Sequence, residues 1–159
     1  NSGGHTQIAV SGTPIETIVE PENRVEMLLA GRAAEILIYG SPSSGAGGSA
    51  TSDLALAVHS LAIAYLTLGL VDCTPRWRCE PEDVMLHLMR GPIACRAVET
   101  RLGILADRSL KTLSANREAL GRLSDELLAR RTVNRDDIMA IIDVAAGSSG
   151  ASIHSQAPS

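Results

Sequence analysis

The stretch GAGGSATSDLALAVHSLAIAYL, residues 45–66, decides the fold class. A run of Gly, Ala, Ser and Thr gives way abruptly to an apolar helical pattern. Leu54, Val58, Leu61, Ala62 and Tyr65 recur on one face, and Leu56, Ala57 and Ile63 leave few polar positions on the others. A helix that is apolar nearly all round is one that other elements bury. The spacing predicts a helix over 51–68 surrounded by further helices. A single carboxylate, Asp53, stands between the small-residue loop and this helix, and its purpose is the question the stretch raises.

Outward from it, the same periodicity continues. Val25, Leu28, Leu29, Ala33 and Ile36 follow Pro21 at three- and four-residue intervals and stop at Tyr39-Gly40, which predicts a second helix. SPSSGAGGSA (41–50) is a loop by composition. Residues 69–83 are irregular, and VMLHLM (84–89) is too short to assign to strand or helix. Gly91-Pro92 opens a helix expected to run to about Ser114, because proline suits the first helical position. Helices over 117–130 and 135–146 follow, the latter with Asn134 as its N-cap. HTQIAVSGTPIETIVEP (5–21) is rich in β-branched residues broken by Gly12-Thr13-Pro14, and reads as two short strands or extended segments. The tail 147–159 has no core face and is expected to be disordered. The expected architecture is mainly α: a bundle of four or five helices with a small N-terminal β element.

Composition narrows the function. The chain has 159 residues, a net charge of −4, one Trp, two Tyr and no Phe. With no basic stripe and too few aromatics for base stacking, nucleic acid is not an expected partner. No sufficiently long apolar run is free of polar interruption, so nothing in this sequence reads as a membrane span. The cysteines, Cys73, Cys79 and Cys95, form no C-x-x-C pair and read as ordinary thiols of a reducing compartment. H-E-x-x-H, a P-loop, G-x-S-x-G and S-x-x-K are all missing from this sequence. Of the histidines His5, His59, His87 and His154, none makes a pair with Asp53, and His87 reads as a half-buried core residue. Asp53 itself has two readings. A carboxylate in a first helical turn offsets the helix dipole and bonds free amides. A carboxylate beside a glycine loop is also suited to donate to a metal ion held mainly by other residues.

AGRAAEILIYGSPSSGAGGSATSDLALA resembles a segment of the FtsH-type ATP-dependent zinc metalloproteases. There a helix ending Gly-Arg-x-Ala-Glu-Glu-x-Ile-[FY]-Gly leads through a loop to Gly-Ala-Ser-Asn-Asp-[LI]. The matching residues are Gly31, Arg32, Ala34, Glu35, Ile38, Tyr39 and Gly40, then Ser52, Asp53, Leu54 and Ala57. A weaker match follows at Leu113, Asn116, Leu120, Leu123, Leu127, Leu128, Thr132, Val133, Asp137 and Ile138. Ile36 replaces the second Glu of the pair, Leu68-Gly69 stands where the family has Trp-Gly, and 70–90 does not follow the pattern.

The resemblance implies that residues 1–146 are part of a peptidase domain lacking its upstream H-E-x-x-H helix and ATPase module, both expected before Asn1. It implies that Asp53 is the third zinc ligand, completing two histidines of that helix, whose Glu acts as general base. The implied whole is an ATP-dependent zinc metalloendopeptidase, an AAA+ hydrolase degrading unfolded or damaged proteins. It is expected as a homo-hexamer in the cytoplasm, at the cytoplasmic face of the inner membrane, with any membrane anchor outside this chain. The fragment alone is expected to be inactive and to hold no cofactor, with no catalytic residue of its own. The alternative is a non-enzymatic helical assembly domain of a degenerate relative, in which Asp53 merely serves its helix.

Overall fold

The computed structural model describes residues 17–71 and 77–151. These form six α-helices: α1 (Val19–Tyr39), α2 (Asp53–Leu66), α3 (Val84–Arg90), α4 (Pro92–Ala115), α5 (Arg117–Arg130) and α6 (Arg135–Ala151). Single 3-10 turns occupy Ser44–Ala46 and Pro81–Asp83. The mainly α expectation holds. The expected strands fall largely outside the described residues, and where they overlap the chain is helical. There, Val19–Pro21 form the first turn of α1, started by Thr17: its N–H and hydroxyl both donate to Glu20 Oε2, at 2.7 and 2.6 Å.

The helix count exceeds the expected four or five because residues 84–90 are helical. Seven residues are too few for periodicity to decide, but Val84 and Leu88, four apart, are both buried. The same packing turns His87 outward, so it is exposed and not the half-buried core residue its apolar neighbours suggested. The last helix also runs past the expected stop at 146, reaching Ala151. Its start is fixed by a reciprocal cap, with Asp137 N donating to Asn134 Oδ1 at 2.9 Å and Asn134 N to Asp137 Oδ2 at 3.3 Å. Once nucleated, a helix gains a hydrogen bond per residue added, and no proline stands near 147 to stop it.

α1, α2 and α4 pack on one another, with α3 closing one end against α2 and α4. The core comprises Val25 and Leu29 of α1, Ala57, Leu61, Ala62, Tyr65 and Leu66 of α2, Val84 and Leu88 of α3, and Val98 and Leu105 of α4. Fully buried alanines on α2 let its neighbours approach closely, which suits a core without phenylalanine. α2 closes on Gly69, at φ 61°, with Leu70 N reaching back to Ala64 O at 3.0 Å. This left-handed glycine satisfies the last carbonyls of the helix. α5 and α6 form a hairpin that touches the rest mainly where α5 meets the end of α4.

One buried charge ties the two longest helices together. Glu22 on α1 is 5% exposed. Its carboxylate accepts from Arg101 Nε at 2.6 Å, and Arg108 Nη1 lies 3.5 Å away, both from α4. Arg108 Nη2 also lies 2.9 Å from the buried Glu26 Oε1 but out of line for a hydrogen bond, so that contact is chiefly one of charge. Ser109 Oγ donates to Glu26 O at 3.2 Å.

Two outcomes are expected in urea denaturation. Arg101→Ala leaves a buried carboxylate with one distant partner and lowers stability by about 1–3 kcal/mol, less than for a wholly buried pair because the arginine is half exposed. Arg131 sits at φ 62°, capping α5 in a conformation that costs a side-chain-bearing residue, so Arg131→Gly raises stability by about 1 kcal/mol.

Candidate metal-ligand site at the loop–helix junction

The junction is built by serine hydroxyls and backbone. Ser52 precedes α2 in extended conformation, and its Oγ accepts from Ala55 N at 3.3 Å while donating to Ser49 O at 2.7 Å. Ser52 N also reaches Ser49 O, at 3.1 Å, closing a turn before the helix. Ser52 is therefore the N-cap. Asp53, the first residue of α2, is exposed, and among the described residues no hydrogen bond or ion pair holds its carboxylate. The reading in which Asp53 bonds the free amides is thus replaced by Ser52; what Asp53 retains is its charge beside the positive end of the helix dipole.

At the other end of the loop stands a residue whose role the sequence did not reveal. Glu35, on the last turns of α1, accepts from Ser43 N and from Ser43 Oγ, each at 2.7 Å. Ser43 Oγ in turn accepts from Gly45 N at 3.1 Å. These Ser43 bonds, with Arg32 nearby, hold the Glu35 carboxyl below the usual glutamate range. Gly40, left-handed at φ 77°, turns the chain back over the helix it has just left and brings Ser43, three residues on, to Glu35; the sequence marks the turn but not the partner.

The other residues singled out from sequence do not gather round Asp53. His59 lies further along α2, and His87 is on α3 with Nδ1 3.4 Å from Asp83 O. His5, Cys73 and His154 lie outside the described residues. Burial raises the Cys79 thiol, and burial with Glu99 alongside raises that of Cys95, so both are protonated thiols near neutral pH. Among the described residues, no group of three or more His, Cys, Asp or Glu side chains could hold a metal ion. Tetrahedral zinc needs more than one carboxylate, so these residues do not make a zinc site by themselves. Among the same residues no helix is long and apolar enough to cross a membrane.

The chain is 29% identical over 133 residues to the ATP-dependent zinc metalloprotease FtsH of Methylibium petroleiphilum. That similarity takes in 75% of this chain and 21% of that protein, so the chain spans about a fifth of the length of the curated relative it matches. The chain is thus distantly similar to an FtsH protease. No protein-family profile matches the chain. No solved structure matches it.

Cap and free carboxylate separate in a stability measurement. Ser52→Ala is expected to cost about 0.5–2 kcal/mol, the value of a lost N-cap. Asp53→Ala loses only a dipole interaction of about 0.3–1 kcal/mol. The clasp is expected to respond to acid. A carboxylate whose folded pKa lies below its unfolded value contributes above the ordinary glutamate range, and its contribution is lost as pH falls through the lowered folded value. An NMR titration should show the Ser43 amide moving with Glu35, and Ser43→Ala should bring the Glu35 midpoint up toward that of a free glutamate.

Proposed function

We propose that this chain contributes part of the peptidase domain, over residues 1–146, of an ATP-dependent zinc metalloendopeptidase that degrades unfolded or damaged proteins. The observation that carries the reading is the Asp53 carboxylate, left without a partner by a Ser52 cap that does the helix's own work. The FtsH similarity across 75% of the chain supports it. In this reading Asp53 is the carboxylate donor to zinc, and the remaining donors come from an H-E-x-x-H helix elsewhere in the full protein. When bound, the metal supplies Lewis acidity and an activated water for peptide hydrolysis. Asp53 orients one donor oxygen, and the buried body of α2 holds that donor still. ATP is bound by a separate module. The full protein works as a homo-hexamer in the cytoplasm, at the cytoplasmic face of the inner membrane, through an anchor outside this chain.

A second reading is favoured by a different observation. The α5–α6 hairpin leaves Leu127, Leu128, Met139, Ile142 and Val144 exposed, Leu128 at 80%. A helical assembly domain of a degenerate, non-enzymatic relative would present such a surface.

Asp53→Asn in the full protein distinguishes them. Ser52 keeps the cap and the exposed Asp53 loses only a dipole interaction, so the fold is kept in either case. With Asp53 as a ligand, zinc content drops and proteolysis of an unfolded protein such as casein falls by orders of magnitude, while ATP hydrolysis continues. Undiminished proteolysis removes Asp53 from the metal site. The isolated chain is expected to carry no stoichiometric zinc by elemental analysis and to cleave no casein.

A further inference from the structure

We propose that Glu35 is a positioning residue: by gripping Ser43 it sets the course of the 41–52 loop, and through that loop the orientation of the Asp53 junction. The inference rests on the reading of Asp53 as the donor carboxylate. Its grounds are separate, and lie in how the loop is held.

Residues 41–52, SPSSGAGGSATS, contain three glycines and no charged side chain. Such a composition gives wide conformational freedom, and what ordering the loop has of its own is short-range: one 3-10 turn, in which Gly47 N donates to Ser44 O at 3.2 Å, and a contact between the Ser49 and Thr51 hydroxyls. Its two ends are each tied down. Glu35 grips Ser43 through both its amide and its hydroxyl, and Ser43 Oγ holds Gly45 N. At the far end, Ser49 and Ser52 close the turn that caps α2. Between the two lie Gly47 and Gly48, the latter at φ 96°. Gly45 belongs to the grip: a Cβ there would stand 3.2 Å from Ser43 Oγ and 3.6 Å from Glu35 Oε1.

Glu35 suits this task because its helix is anchored. Val25, Leu29 and Ala33 of α1 are buried, so the carboxylate projects from an element that does not move with the loop. Arg32 favours its charged form, and the loop offers no competing cation. The body of α2 is fixed by its own buried face, with Leu54 packed against the core. At the exposed Asp53 end the Ser52 cap adds to that hold, and Ser52 depends on where the loop delivers it. A metal-ligating side chain held loosely by its supporting groups loses affinity, which is why groups behind the ligands matter.

The test is amide hydrogen exchange by NMR on the chain with no metal present, comparing Glu35→Ala, Glu35→Gln and Ser43→Ala. Glu35→Ala is expected to speed exchange at Ser43 and Gly45 several-fold. It is also expected to shift the amide signals of Asp53 and Ala55, nearly twenty residues away in sequence. Glu35→Gln keeps an acceptor oxygen for the Ser43 amide and restores most of the pattern, while Ser43→Ala reproduces the loss without touching α1. In the parent chain the Asp53 and Ala55 signals should follow the Glu35 titration, and in Glu35→Gln they should not. Faster exchange confined to 43–45, with residues 52–55 unmoved, overturns the proposal, as does unchanged exchange throughout. Asp53→Asn leaves the Ser43 protection in place. If that variant keeps its zinc in the full protein, the ligand reading fails while the coupling through the loop still stands.

Discussion

Glu22 sits where solvent scarcely reaches, and its charge would be costly there without the two arginines that α4 brings to it. That requirement fixes more than a contact. Arg101 and Arg108 are seven residues apart, two helical turns, so both meet one carboxylate only if α4 lies along α1 at a single longitudinal setting. Apolar packing alone is tolerant of sliding, because leucines and alanines fit many neighbours nearly as well. The charge cluster removes that tolerance. With α1 and α4 set, the space for α2 is defined, and its alanine-rich surface fills it.

The loop–helix junction inherits this order. α1 ends at a left-handed Gly40, the chain doubles back, and Glu35 catches it at Ser43. α2 begins at a serine-capped turn and dives into the core within one helical turn, with Leu54 packed against the core and Ala57 wholly buried. Asp53 is thus set at the boundary between a segment with many conformations and one with a single conformation. The division of labour between Ser52 and Asp53 is the informative part. A helix start needs one oxygen to receive its free amides, and Ser52 provides it. The carboxylate is then available for something else, set beside the positive end of the helix.

The α5–α6 hairpin follows a different logic. Its stability is local: a reciprocal cap at Asn134 and Asp137, an Arg122–Glu118 pair one turn apart, and Arg130 reaching Asp137 across the hairpin at 3.3 Å. It buries little, Ala119 on α5 and Ala145 on α6 among the described side chains. Several of its apolar residues face water. The compact part of the molecule and the hairpin therefore differ in what holds them, one by a shared core and one by caps and surface pairs.

Much of this was legible in the residues. The helical periodicity of 54–65, the stop at Tyr39-Gly40, the proline start at Pro92 and the cap at Asn134 are local signals, and local signals survive in a sequence because they act over three or four residues. The candidate position of Asp53 was legible only through likeness to a protease segment, since a carboxylate at a helix start is common. What the sequence left open was every feature set by residues far apart. Residues 84–90 became a helix because Val84 and Leu88 found the core. His87 faces water because those two face inward. Glu22 met Arg101 across 79 positions, and Glu35 met Ser43 across a reversal of the chain. Such pairings depend on which surfaces the fold brings together, and no spacing in the sequence records that.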